Sequence, residues 1–376
     1  MYIKKFSVAG LNGDKRLIEI SPHRDMNIIT GRNGSGKTTI LKLMWYAISG
    51  NLALALQEVD FERFLLVTDL YEVEVWNGPN PKGELREDGK TYFYSDESQP
   101  HFDDSDELSF SSDLDDLGRE LAGGGSSIFF PTFRRIEGGF SIAASRGLIG
   151  RIRTKNELED ALMALSQKLS NGDHQFVASL STADIVRLLM RHYTNLTDNY
   201  SQVQASTTQQ VIGDIKKYQR KDDYVGPSSL NEPNDLLEKI KNKIEWMEAE
   251  RDVVLRPINA VQELVARLFA HSGIKIDGRL NFGDAATAVS SDKLSAGEKQ
   301  LLSFICYNAF AKDAIVIIDE PELSLHVDWQ RQLFPILQGQ GSSNQFIVAT
   351  HSPFIYSKYP EKELMMDSDR GDGGYK

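Results

Sequence analysis

The stretch Gly31-Arg32-Asn33-Gly34-Ser35-Gly36-Lys37-Thr38-Thr39 constrains this chain more than any other. It fits G-x-x-x-x-G-K-[ST], the pattern of a loop that cradles phosphate. Met26 to Thr30 ahead of it is a short apolar run that reads as a buried strand. Thr39 to Ile48 behind it reads as a helix with Ile40, Leu43, Met44, Ala47 and Ile48 on one face. Glycines let the backbone turn tightly and come close to a ligand. The freed N–H groups and the helix N-terminus then face an anion. In that setting Lys37 supplies a point charge to the outer phosphates, and the Thr38 hydroxyl supplies a ligand to Mg²⁺. A glycine-rich turn with a chance lysine would lack such flanks.

The rest of the chain is organised around this stretch. Ile3 to Val8 and Leu17 to Ile20 read as strands joined by a turn at Asn12-Gly13-Asp14. Phe64 to Trp76, with Leu66, Leu70, Val73 and Val75, and a short strand at Tyr92 to Tyr94 suggest an antiparallel side sheet. The acidic run from Asp96 to Glu120 reads as a solvated loop, with partner docking the other reading. Ser127 to Phe130 is another apolar strand. Arg134 and Arg135 beyond it suit phosphate or intersubunit carboxylate contacts, or stand as surface arginines. Lys155 to Leu169 and Thr182 to Gln219 look helical, broken at Asn171-Gly172-Asp173. Then Leu237, Ile240, Ile244, Met247, Arg251, Val254, Ile258, Val261, Val265 and Leu268 recur at three- and four-residue steps, a heptad seam kinked at Pro257. Two long helices joined near Pro227 to Pro233 give a helical hairpin inserted in the nucleotide-binding domain. His192 reads as a packed histidine rather than a ligand. Ile274 to Ile276 and Leu280 to Phe282 read as strands. The expected fold class is therefore α/β, a P-loop head with an antiparallel side sheet and an inserted α-helical hairpin. Its expected parts are residues 1–153, the insertion 154–270, and residues 271–376.

A second group of motifs lies beyond the insertion. Leu294-Ser295-Ala296-Gly297-Glu298-Lys299-Gln300 precedes a helix running to about Phe310. Ala314 to Ile318 is an apolar strand ending in Asp319-Glu320-Pro321, followed by Glu322-Leu323-Ser324-Leu325-His326. Gln345 to Ala349 is a strand ending in Thr350-His351-Ser352-Pro353. A carboxylate such as Asp319 at a strand end beside the loop can complete Mg²⁺ coordination. Glu320 can polarise water as general base. His351 can contact the γ-phosphate. Ser295 and Gly297 open a helix, a position suited to phosphate. An acidic pair at a strand end is also a common sheet-edge feature, so the order of the set carries the weight.

In that order the motifs resemble the ABC-type ATPase heads of the SMC and recombination-repair superfamily, and most of all the overcoming-lysogenization-defect (OLD) type. The similarity covers the Walker A loop at Gly31–Thr38, the signature at Leu294–Gln300, the Walker B strand at Ile315–Glu320, the D-loop at Glu322–His326 and the switch histidine His351. Phe129 to Glu137 also resembles a segment of stand-alone ATPases of bacterial anti-phage systems of the retron, Septu and PARIS kinds. The resemblance implies ATP and Mg²⁺ as ligands, with Gly31, Asn33, Gly34, Ser35, Gly36, Lys37, Thr38, Thr39, Ser295, Gly297 and Glu298 as nucleotide contacts. It implies Thr38 and Asp319 as metal ligands and Glu320 and His351 as catalytic groups. It implies a head-to-head dimer, or a higher homo-oligomer, in which one subunit's signature completes the other's ATP site. The Q-loop glutamine of the family has only Gln57 or the segment Pro131–Arg135 as counterparts. The residues after His351, with Asp367, Ser368 and Asp369, are expected to fray rather than to form the nuclease domain of full OLD proteins.

Composition narrows the setting. The chain has 376 residues, 40% hydrophobic and 26% charged, with no long apolar run. The single Cys306 excludes internal disulfides, and no secretory signal opens the chain, so a cytoplasmic protein without membrane contact is expected. A net charge of −12 argues against a surface that is basic throughout. Two main functions follow. The first is an ATPase controlling a separate nuclease or toxin in anti-phage defence. The second is a DNA-end-binding repair ATPase, for which Arg146, Arg151, Arg153 and Lys155 form the only modest basic cluster. A pure assembly module and a transporter ATPase are weaker readings.

Overall fold

A computed structural model describes residues 1–95, 113–132, 135–136, 153–180, 182–221, 237–251 and 295–366. The seam from Val254 onward, Pro257, the strands at 274–282, Arg134, Arg146, Arg151, Leu294 and the tail from Asp367 lie outside the described residues, as do the side chains of Arg135, Arg153, Lys155 and His192. The chain divides into two units, residues 1–184 with 292–376, and residues 185–291.

The first unit opens with β1 (Ile3–Ala9), β2 (Ile18–Ile20), β3 (Met26–Thr30), α1 (Lys37–Ile48) and α2 (Leu52–Glu58). Four strands follow: β4 (Arg63–Thr68), β5 (Glu72–Trp76), β6 (Lys82–Glu87) and β7 (Lys90–Ser95). Next come α3 (Leu114–Ala122), β8 (Ser127–Phe130), β9 (Arg135–Ile136), α4 (Arg153–Leu169), β10 (His174–Phe176) and β11 (Ser179–Leu180). Two sheets of six strands dominate. The side sheet runs β2-β1-β4-β5-β6-β7 with every pairing antiparallel. After the second unit come α7 (Ala296–Phe310), β12 (Ile315–Asp319), α8 (Val327–Gly339), β13 (Gln345–Ala349), α9 (Pro353–Tyr356) and β14 (Glu363–Met365). The main sheet runs β10-β8-β12-β13-β3-β14, wholly parallel. Such a sheet must be covered on both faces, which is why β3, β8, β12 and β13 are buried at every position and mostly apolar rather than alternating.

Helix α1 is buried on more than the single face expected. Leu41, Trp45 and Tyr46 are buried along with Ile40, Leu43, Met44, Ala47 and Ile48, within one apolar cluster that draws on strands of both sheets. Trp45 packs against Phe129 at 5.6 Å and Phe176 at 5.2 Å between ring centroids. A helix enclosed in this way has no polar stripe.

One expectation is corrected and two details are added. Phe64 to Trp76 is two strands, because Thr68 caps a turn by accepting from the N–H groups of Leu70 and Tyr71, which leaves Leu70 exposed. The acidic run is not wholly a solvated loop. Asp113 caps α3 by accepting from the Asp116 N–H at 3.0 Å, Asp115 and Asp116 occupy its first turn, and Leu114, Leu117 and Leu121 are buried. Acids at a helix start are stabilised by the N–H groups and the dipole there. Helix α4 and the residues to 184 fall in the first of the two units.

The second unit contains most of α5 (Thr182–Lys221) and a helix over 237–251, here α6. Lys243 of α6 pairs with Asp214 of α5 at 2.8 Å. Of the described seam positions Ile240 and Met247 are half-buried, while Leu237 and Ile244 are exposed. No helix among the described residues is long and apolar enough to cross a membrane.

Candidate nucleotide site

The parallel register gathers the site. Ala349 stands beside Ile29 on one side and Asp319 on the other, and Phe130 stands beside Ile318. Four chain segments therefore leave the same edge of the sheet: Gly31 after β3, Thr132 after β8, Glu320 after β12 and Thr350-His351 after β13. In an open α/β sheet this C-terminal edge is where ligands bind.

The loop from Gly31 to Gly36 is shaped by its glycines. Gly34 and Gly36 have φ of 83° and 90°, values L side chains rarely adopt. Gly36 is also the N-cap of α1 and offers no side-chain cap, so the first N–H groups of the helix stay open to an anion. The Lys37 amine is buried and folds back over the loop, donating to the carbonyls of Gly31 and Arg32 at 2.9 Å each. The Ser35 hydroxyl is buried without a hydrogen-bond partner among the described residues. An orphaned donor beside open N–H groups and an amine fits a phosphate. Asn33, Gly34 and Thr38 are exposed, and Thr39 is half-buried.

Burial pushes the Lys37 amine below the ordinary lysine range, against the opposing pull of Glu320, Asp319 and Glu322. His351 is pushed below the usual imidazole value by burial and then by Lys37, with Glu322 and Asp319 opposing. These five groups thus share one electrostatic environment. Asp319 is almost wholly buried and accepts a hydrogen bond from the Thr132 hydroxyl. Thr132 lies in the Pro131–Arg135 segment, so this segment touches the acidic strand end, while Gln57 on α2 is exposed. Glu320 has φ of 47° and is held there by its N–H donating to the Ala349 carbonyl at 2.8 Å. A left-handed non-glycine residue costs about 1–3 kcal/mol and is characteristic of functional sites. Glu320 is half-buried, as a base that meets water needs to be. The residues fit a divalent cation, since a buried carboxylate and an exposed threonine hydroxyl beside the loop are hard oxygen donors.

The signature residues are held differently. Ser295 caps α7 in a reciprocal box: its hydroxyl accepts from the Glu298 N–H at 3.3 Å, and the Glu298 carboxylate accepts from the Ser295 N–H at 2.8 Å. Gly297 is buried, and a Cβ there would lie 2.4 Å from the Ser324 carbonyl oxygen. Its glycine is therefore explained by backbone packing, whereas Ser295 is exposed. Glu322 is the site residue to which the sequence reading gave no role of its own. Its carboxylate accepts from the Thr350 hydroxyl at 2.8 Å and the His351 N–H at 2.7 Å. Its sequence signal was its place at the start of the Glu322–His326 motif, after an acidic strand end.

The family described as "AAA domain, putative AbiEii toxin, Type IV TA system" matches residues 26–357. Among curated proteins, the "Retron Ec83 probable ATPase" of Escherichia coli is 38% identical over 76 residues, which is 17% of this chain and 14% of that protein. Among solved structures, the Smc head domain with an extended coiled coil from Pyrococcus furiosus, bound to the C-terminal domain of ScpA, aligns over 95% of this chain and 91% of that one, at 13% identity and a TM-score of 0.36. An Smc head bound to the C-winged helix domain of ScpA gives the same coverage and identity at a TM-score of 0.39.

Proposed function

Since the chain belongs to this AAA-domain family, we propose that it binds and hydrolyses ATP, dimerises around the nucleotide, and thereby controls a separate nuclease or toxin in prokaryotic anti-phage defence. The observation that carries the ATPase reading is the buried Lys37 amine within electrostatic reach of Asp319, Glu320, Glu322 and His351 at one sheet edge. The defence reading is supported by the partial similarity to a retron ATPase. The setting proposed is cytoplasmic.

In this reading the N–H groups of Gly34 to Thr38 hold the phosphates, with Lys37 released from the Gly31 and Arg32 carbonyls to the outer ones. Thr38 and Asp319 would hold Mg²⁺, with Thr132 orienting the carboxylate. Mg²⁺, when bound, neutralises charge on the β- and γ-phosphates. Glu320 accepts the proton of the attacking water, and His351, kept neutral by burial and by Lys37, donates toward the γ-phosphate. The exposed Ser295 and the start of α7 in one subunit face the nucleotide of the other. Glu320→Gln keeps the shape and removes the base. With Mg²⁺ and ATP this variant is expected to form a persistent species of twice the mass in light scattering. A monomer at saturating ATP would contradict the shared site.

A further inference from the structure

We propose that Glu322 is a positioning residue that fixes His351 and couples it to the loop resting on the start of α7. Both carboxylate oxygens are spent on one neighbouring turn. Oε2 accepts from the Thr350 hydroxyl at 2.8 Å, and Oε1 accepts from the backbone N–H of His351 at 2.7 Å. Thr350 is fully buried, and bonds to an ionised acceptor are stronger and more directional than neutral ones. Gln330 of α8 makes a second clasp on the same turn. Its Oε1 accepts from the Ser352 hydroxyl at 2.6 Å, and its Nε2 donates to the Leu325 carbonyl at 2.8 Å. The turn at 350–352 and the loop at 322–325 are thus fastened at two points.

That loop continues the path. Ser324 has φ of 69°, and its carbonyl sits so close to Gly297 that no Cβ could be placed there. One carboxylate therefore stands between His351, which faces Lys37, and the N-terminal turn of the helix that carries Ser295. A shift of the His351 backbone cannot occur without breaking a bond to Glu322 or moving the loop against Gly297. Such a contiguous set of contacts is a physical route for coupling, and it is tested by how two substitutions combine.

The inference rests on the ATPase reading for its catalytic consequence, but its geometric core does not. In full-length Glu322→Ala, amide exchange of the peptide containing His351 is expected to rise about tenfold, with the β3 and α1 peptides unchanged. ATP turnover is expected to fall about tenfold while the ATP Kd stays within about twofold, since the defect lies at the reacting end. In a His351→Asn background the same substitution should cost less than about twofold more. Glu322→Gln can accept from the His351 N–H and donate to the Thr350 hydroxyl, so it should recover most of the loss. Glu322→Asp retracts the carboxylate by one methylene and carries the same tests if the alanine protein does not fold. Unchanged exchange at His351, or an undiminished further tenfold loss in the His351→Asn background, would overturn the proposal. A wild-type protein without ATP turnover would instead remove the proposed function, and the exchange result would still decide whether Glu322 holds His351.

Discussion

The two ends of the parallel sheet are built from different chemistry. At the C-terminal end Lys37, Asp319, Glu320, Glu322 and His351 share one electrostatic environment, and Glu320 is held in a left-handed conformation. At the N-terminal end the buried polar groups are neutral and most of them answer one another. Gln345 Oε1 accepts from the Ile3 N–H at 2.7 Å, and its Nε2 donates to the carbonyls of Ile3 and His23. Asn344 accepts from the Ala314 N–H at 2.9 Å, Asn27 accepts from the His23 N–H at 2.6 Å, and His174 pairs through Nδ1 with the Ser127 hydroxyl at 2.8 Å. Neutral amides and hydroxyls can be buried without leaving a charge to compensate, so they suit fastening. Gln345 uses them to tie β1 of the side sheet to β13 of the main one. Left-handed residues also stand at the N-terminal end, at Asp313 and Ser343, so it is the gathered charges and the orphaned hydroxyl that suit an incoming ligand.

This contrast can be broken by substitutions that move stability at one end and function at the other. The largest expected effect is at Gln345. Gln345→Leu leaves the Ile3 N–H and C=O unpaired in a buried position, which at about 2 kcal/mol each lowers unfolding stability by about 4 kcal/mol. Urea denaturation measures this, and ATP binding by the folded fraction should be unchanged. Next is His174, whose imidazole is pushed down to about 4 from 6.5 by burial, against Asp173 and the Ala122 backbone. The folded-state value lies below the unfolded one, so the stabilisation is complete above pH 6.5 and is lost as pH falls toward 4. The share lost is about 3 kcal/mol, on the basis of about 1.4 kcal/mol per pH unit. Urea midpoints across this range should fall in the wild type and lose this component in His174→Gln. A flat wild-type profile would mean that the N-terminal end is not as dry as its packing indicates.

The two ends also differ in how far they can be read from sequence. Phosphate chemistry dictates contiguous strings, so Gly31 to Thr39, Asp319-Glu320 and His351 stand out, and β3, β8 and β13 are short, mostly apolar runs. Gln345 and His174 carry no such string, because their roles come from which strands become neighbours. Glu322 is similar, since its bond to His351 depends on Asp319 standing beside Ala349. Short elements such as β10, β11 and α2 are too brief to show a period, and β6 is mostly polar. The signal for α3 was present in Leu114, Leu117 and Leu121, whose three- and four-residue spacing marks a helical face. The density of acids obscured it, although acids are favoured at a helix start. Gly297 was readable as a required glycine, but its physical reason, the Ser324 carbonyl, is visible only in three dimensions.

The central claim is that the charged end of the sheet is an ATPase site organised by Lys37. Phosphate release from Mg²⁺·ATP by the wild type and by Lys37→Ala, with urea midpoints measured on the same samples, tests it most directly. The account expects turnover to drop at least about 100-fold in the variant while the midpoint stays the same or rises. Equal phosphate release by the two proteins, or none by a folded wild type, would contradict it.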